Sequence, residues 1–413
     1  MKKILFIASA ILILLSGCEN FLDSELLTEK TTANFPETEK DAQEMVTAIY
    51  AHLLFESPET SSQYYIAQLA GDDCLGGNLS YSNNCATNFL MYSGNLNTFA
   101  GIWDRCYTLI NRANNAINTM ENVKSWSSES ERNRLFGESY FLRAMAYYEL
   151  AQVFGGVPLR TTLESTNLPR ASVDEIYTQI AADLKNAIEM MPAKIYPKGS
   201  DMTGHATKYA AEAMMARVFL FYTGRYEKNE LPNGTTKEEV ISWIDDCVNN
   251  SGHKLVSDQR NIWAYTNDAT LYDATEYLDQ PAIVPGSMGN NNLKWEGNSS
   301  DETLFANKHN LKSDWTYTWF SNTCAQFYSP SADNYSNKDS YPFGTGWGAG
   351  PVSPAMVNEW KDWAAKQTYT DGYKEDPRLT GSIWSYKALD PNVAGNVLMD
   401  CTMDEGEPEY TVS

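Results

Sequence analysis

Residues 128–158 read SESERNRLFGESYFLRAMAYYELAQVFGGVP, and the spacing in this stretch decides the fold class. Ser128-Glu129-Ser130-Glu131 is a capping-box pattern, in which Ser and Glu side chains satisfy the free backbone donors of a first helical turn. From Leu135 onward Phe136, Tyr140, Phe141, Ala144, Tyr147, Tyr148 and Ala151 recur at helical spacing. Gly155-Gly156 then stops the helix and Pro158 prevents its continuation. The stretch therefore predicts one long helix with apolar residues on most of its circumference.

The same reading extends outward in both directions. Thr38 opens a first helix carrying Ala42, Met45, Val46, Ile49, Leu53 and Leu54. A second runs from Phe99 to Met120, with Ile102, Trp103, Cys106, Tyr107, Ile110, Ala113 and Ile117 on one stripe. A fourth starts at a second capping box, Ser172-Val173-Asp174-Glu175, and stops at Pro192. A fifth spans His205 to Tyr222, with Gly224 as its stop; its small Ala206, Ala210, Ala213 and Ala216 let a neighbouring helix approach closely. A sixth follows Thr235 and Thr236. Each helical hairpin has an apolar face that it cannot bury alone, so the hairpins are expected to stack. The expected fold is mostly α, with tetratricopeptide-like stacked hairpins, although the roughly 34-residue register of true tetratricopeptides is not kept cleanly.

Four regions are expected. Residues 1–17 form a lipoprotein signal peptide, 18–37 a polar tether, 38–250 a helical scaffold interrupted by an irregular loop at 55–98, and 251–413 a loop-rich, mixed region packed alongside. In the last region Asn, Gly, Ser, Thr, Trp and Tyr replace helical periodicity, and only 353–365 reads as a helix. In the leader, Lys2 and Lys3 precede an apolar run from Ile4 to Leu15, too short to span a bilayer as a helix. Leu15-Ser16-Gly17-Cys18 has the form of a bacterial lipobox, which makes Cys18 the lipidated mature N-terminus. Each buried methylene of an acyl chain contributes ~0.8 kcal/mol, so two or three chains anchor a protein firmly.

Composition excludes several functions. The chain has 413 residues, with 53 Asp and Glu against 31 Lys and Arg, a net charge of −22. Such a surface repels phosphate backbones and argues against nucleic-acid binding. The seven cysteines include no CxxC pair, which argues against a zinc or dithiol site; Cys74 and Cys85 could form a bridge or remain free thiols. The four histidines (His52, His205, His253 and His309) lie far apart, with no HExxH, GxSxG or P-loop pattern. No catalytic residue, metal ligand or cofactor is assigned. A glycosidase carboxylate pair cannot be picked out among so many acids.

The positive signal is aromatic residues set in Asn/Gly-rich loops. Tyr81 lies within 76–84, Trp295 follows Asn290-Asn291-Asn292, and Trp315, Tyr317 and Trp319 alternate, so an extended segment turns all three to one side. A flat ring stacks on the apolar face of a sugar, and Asn offers donor and acceptor together to its hydroxyls. These five are the candidate ligand-binding residues. The bland alternative is that they fill the core of the loop-rich half.

Several segments resemble one family, the SusD/RagB-like outer-membrane lipoproteins of Bacteroidetes. They are Cys18-Glu19-Asn20-Phe21-Leu22-Asp23; Trp103 with Ile110, Asn111, Ala113, Asn114 and Ile117; Gly137 through Ala144; Phe154-Gly155-Gly156-Val157-Pro158-Leu159; Arg170-Ala171-Ser172-Val173; Ala206-Thr207-Lys208; Ala216-Arg217-Val218; Gly346-Trp347-Gly348; and Asp376-Pro377-Arg378-Leu379. The resemblance implies a non-enzymatic, surface-exposed lipoprotein of the outer membrane. It implies a protein that binds glycan (oligosaccharide or polysaccharide) and delivers it to a TonB-dependent SusC-like transporter. Glu19, Asp23 and Glu25 fit the surface-export signal associated with such lipoproteins. Motif residues such as Arg143 and Trp347 are expected to serve packing and buried hydrogen bonding. Family members continue past the Asp-Pro-Arg-Leu region into a further helix pair, so the chain is expected to be short by one such pair. The alternative from a different class is an exported helical-repeat scaffold that binds peptide or protein; a glycoside hydrolase is a more remote one.

Overall fold

The structure is a computed structural model that describes residues 35–53, 99–164, 166–196, 200, 202–257, 300–307, 354–368, 383–385 and 410–412. Its helices are α1 (Glu39–Leu53), α2 (Ala100–Thr119), α3 (Glu129–Phe154), α4 (Val173–Met190), α5 (Lys208–Tyr226), α6 (Lys237–Asn250) and α7 (Pro354–Ala364). A 3₁₀ turn, Met120–Asn122, follows α2, and two short strands, β1 (Ile383–Ser385) and β2 (Tyr410–Val412), pair antiparallel with Ile383 opposite Val412. Helices adjacent in sequence from α1 to α6 pack against one another, and α1 also reaches α3. The fold is thus mostly α, a stack of helical hairpins, as the spacing predicts.

α3 is the centre of the stack. Leu135, Phe136, Phe141, Leu142, Ala144, Ala146, Tyr147, Tyr148, Leu150 and Ala151 are all buried, so nearly its whole circumference faces protein. α2 and α4 cover it on either side, contributing Ile102, Leu109, Ile110 and Ala113 from the first and Ile176, Ile180, Leu184 and Ala187 from the second. Removing one such side chain from water contributes ~1.5–3 kcal/mol, so the stack rests chiefly on this three-helix contact.

Glycines set two close approaches. Gly137 faces α4's end, where a Cβ would meet Met191 Cγ at 2.5 Å. At Gly156 a Cβ would lie 2.1 Å from the Ala171 carbonyl oxygen, which only glycine permits. Gly155, with φ at 69°, adopts the left-handed region that ends α3. Arg170 then closes the helix, its Nε donating to the Gly156 carbonyl at 2.6 Å and its Nη2 to that of Phe154 at 2.7 Å.

Two local expectations need correction. Gly224 does not stop α5, which continues to Tyr226 and ends on Glu227 at φ 53°. An isolated glycine costs ~1 kcal/mol in a helix, and the turn it shares with buried Tyr222 outweighs that. The capping box at Ser128 is half formed. Ser128 Oγ accepts from the Glu131 N–H at 3.1 Å, but the Glu131 carboxylate pairs with Arg134 and accepts from Gln43 Nε2 instead. The box at Ser172 and Glu175 is complete, and Thr236 with Glu239 forms another.

Candidate functional site

Two buried polar networks hold the stack in register. In the first, Arg143 on α3 donates to both carboxylate oxygens of Asp183 on α4, from Nε at 2.8 Å and from Nη2 at 2.6 Å. Its Nη1 donates to Asn114 Oδ1 on α2 at 2.8 Å. Asn114 Nδ2 in turn donates to the Arg160 carbonyl at 2.9 Å, where the Tyr147 hydroxyl also donates at 2.6 Å. One guanidinium thus joins three helices and the turn after α3. Burial pushes the Asp183 carboxyl up, and the Arg143 hydrogen bonds and charge oppose that shift. Arg143 therefore has the buried hydrogen-bonding role expected for it.

The second network surrounds Glu138, which has no exposed surface. Arg134 Nη1 donates to its Oε1 at 2.6 Å, and His205 Nδ1 lies 2.8 Å from its Oε2. The Tyr50 hydroxyl accepts from the Ala206 N–H at 2.9 Å and bonds to Glu138. Burial, then the Glu138 charge, holds Tyr50 well above the usual phenol range. His205 also packs edge-on against Tyr50, with ring centroids 5.0 Å apart.

Residues 300–307 dock over this network. Phe305 packs on Phe141 and Tyr50, with centroids 5.1 and 6.4 Å away. Asn307 Nδ2 donates to the Leu53 carbonyl at 3.1 Å, and His253 Nδ1 donates to the Asp301 carbonyl at 2.8 Å. A cavity of about 90 Å³ lies between this segment, the start of α5 and the turn carrying Tyr196. An open groove of about 900 Å³ lies elsewhere on the stack, between the start of α4 and residues 228–232. Asp174, Gln179 and Glu230 line it, and Tyr222 donates from its hydroxyl to Asp174 Oδ1 at 2.7 Å.

The sequence candidates Tyr81, Trp295, Trp315, Tyr317 and Trp319, and the lipidation candidate Cys18, lie outside the described residues. So do Trp347, the pair Cys74 and Cys85, and most of the tether. Cys106 and Cys247 are both buried. Among the described residues no group of three or more His, Cys, Asp or Glu is placed to hold a metal ion, and no helix is long and apolar enough to cross a membrane. Sequence reasoning missed the Glu138–His205 pair and the role of Thr207 in lining the small cavity. The pair is 67 positions apart with no motif linking its members, so only the folded arrangement of α3 and the turn before α5 reveals it.

A stack of hairpins bound by buried ion pairs defines a helical-repeat scaffold. Residues 20–220 match the SusD-like family model described as starch-binding and associating with the outer membrane. The likeness to that family is carried by the helical half of the chain. It is 23% identical over 277 residues to a SusD-like protein of Bacteroides ovatus, covering 65% of this chain and 48% of the relative. It is 28% identical over 210 residues to a SusD-like protein of Formosa agariphila, covering 45% of this chain and 38% of the relative. The chain therefore spans about half, or less, of the length of the curated relatives it matches. In fold it is similar to a laminarin-binding SusD-like protein, with TM-score 0.64 at 20% identity over 91% of this chain and 72% of the other. Surface glycan-binding protein A from Bacteroides thetaiotaomicron, solved with laminarihexaose, gives the same TM-score of 0.64 at 16% identity over 91% of this chain and 70% of the other.

Proposed function

We propose that the protein is a lipid-anchored, cell-surface glycan-binding protein of the outer membrane that delivers its ligand to a TonB-dependent SusC-like transporter. The observation that carries this reading is the fold likeness to a laminarin-binding protein and to a protein solved with laminarihexaose, joined to the SusD-like family match. The helical stack is the rigid scaffold, residues 251–413 and the 55–98 insertion carry the ligand loops, 1–17 is the leader, and Cys18 bears the lipid. Tyr81, Trp295, Trp315, Tyr317 and Trp319 stack on sugar rings, while Asn side chains in the same loops bond their hydroxyls. Capture needs no bond-breaking group, which fits a binding protein rather than an enzyme.

The test is titration of the protein with laminarihexaose and a panel of other oligosaccharides. Trp315→Ala and Trp319→Ala are each expected to weaken binding of the ligand found by ~1–3 kcal/mol, as aromatic hot spots do. Unchanged affinity in both variants removes these residues from the site. The open groove of about 900 Å³ favours a second reading, in which the helical scaffold takes a peptide or protein segment. Peptide binding abolished by Gln179→Ala and Glu230→Ala, with no sugar bound, supports that reading instead.

A further inference from the structure

We propose that Glu212 and Asp246 hold one proton between them, a carboxyl–carboxylate clasp that makes the docking of α6 on α5 sensitive to pH. An unbalanced polar cluster in the α5–α6 contact carries the inference. Lys208 Nζ lies 2.6 Å from Asp246 Oδ2 and 3.4 Å from Glu212 Oε1, so one ammonium faces two carboxyls. Asp246 has a second donor, since Asn250 Nδ2 donates to its Oδ1 at 2.6 Å. Glu212 is supplied differently. Its side chain has no exposed surface, and apart from the long Lys208 contact neither carboxylate oxygen has a donor among the described residues. The Asp246 carboxyl lies within hydrogen-bonding reach of it. Two ionised carboxylates only accept, and a buried one left without a donor is costly. One proton on Glu212 makes it a donor to Asp246 and satisfies both groups.

The surroundings decide which carboxyl keeps the proton. Hydrogen bonds from Lys208, then Asn250, hold Asp246 below its usual range, while burial pushes Glu212 up to about 7. Tyr209 of α5 and Cys247 of α6 also face Glu212. Burial raises both above their ordinary values of 10.0 and 9.0, so they stay neutral near pH 7. Lys208 is raised as well, chiefly by its bond to Asp246, and stays charged. α6 depends on this cluster because it buries little else: of its 14 residues, Val240 and Cys247 are the buried ones. An element with few buried apolar contacts opens locally at low free energy. When Glu212 loses its proton, two negative carboxylates face one ammonium, and α6 opens more often.

Amide exchange at 237–250, corrected for the intrinsic pH dependence of exchange, tests the clasp. The folded value of Glu212 near 7 lies above the ordinary 4.5, so closing α6 takes up one proton between these limits. Protection of α6 is expected to fall by up to about tenfold per pH unit between about pH 5 and 7, and to level off above that. Glu212→Gln and Asp246→Asn each place a fixed amide donor between the two side chains. Both variants are expected to hold α6 protection constant over the same range. A flat wild-type profile, or a slope that survives in both variants, overturns the proposal. Carbon-13 NMR of the Glu212 side-chain carboxyl in the wild-type protein gives a reading that no substitution disturbs. Titration near pH 7 is expected, and titration complete below pH 5 overturns the clasp.

Discussion

Arg143 is bonded to Asp183 and Asn114 inside the stack, and removing it strands a carboxylate that is 1% exposed. Breaking such a pair from one side costs ~3–5 kcal/mol, far more than the pair itself contributes, because the remaining charge is buried alone. Arg143→Leu is therefore expected to lower unfolding free energy by about that amount in a urea titration. A loss under 1 kcal/mol contradicts the buried geometry. Gly156→Ala is expected to be destabilising as well, since a Cβ placed 2.1 Å from the Ala171 carbonyl forces the backbone of the turn to move. Glu212 behaves differently. It is fully buried, its carboxylate meets only its α5 neighbour Lys208 at 3.4 Å and the carboxyl of Asp246 among the described residues, and burial pushes its pKa from 4.5 up to about 7. A folded-state pKa raised above the unfolded value contributes stability that is present below the unfolded value and lost as pH rises through about 7. Glu212→Gln is expected to flatten the stability profile between pH 5 and 8, measured by thermal unfolding.

The helices show both what patterning reveals and what it cannot. The apolar stripes located α1 to α6, although α5 begins at Lys208 rather than His205 and runs on to Tyr226, and Ser172 with Glu175 marked a complete cap. Ser172→Ala is expected to cost ~1 kcal/mol by removing that cap. The carboxylates at these helix ends also set an acid limit. Hydrogen bonds from Ser172 hold Glu175 below its usual range, and those from Thr236 do the same for Glu239. Lowered folded-state values contribute stability above the unfolded pKa of 4.5, lost as pH falls through the folded ones. Acidification below about pH 4 is therefore expected to loosen α4 and α6 first, as read by amide exchange. The errors were also local. At Gly224, tertiary packing of Tyr222 carried the helix past a residue that on its own reads as a stop. At Ser128, Arg134 and Gln43 compete for the Glu131 carboxylate, and neither competitor is visible from the four-residue motif.

At the scale of the whole molecule, composition excluded partners more readily than it identified them. A net charge of −22 argues against nucleic acid but is indifferent to sugars. The scaffold was legible because each stripe needs a neighbour, whereas Glu138–His205 and Arg143–Asp183 join residues 67 and 40 positions apart that no motif links. Tyr81, Trp295, Trp315, Tyr317 and Trp319 remain readings of loop chemistry, since periodicity says nothing about which loop aromatics face a ligand. The direct test is titration calorimetry of the protein against laminarihexaose, a wider glycan panel and a peptide library. Saturable binding of at least one glycan, weakened tenfold or more when Trp315 and Trp319 are both replaced by alanine, is the expected result. Peptide binding with no response to any glycan contradicts a glycan-binding function.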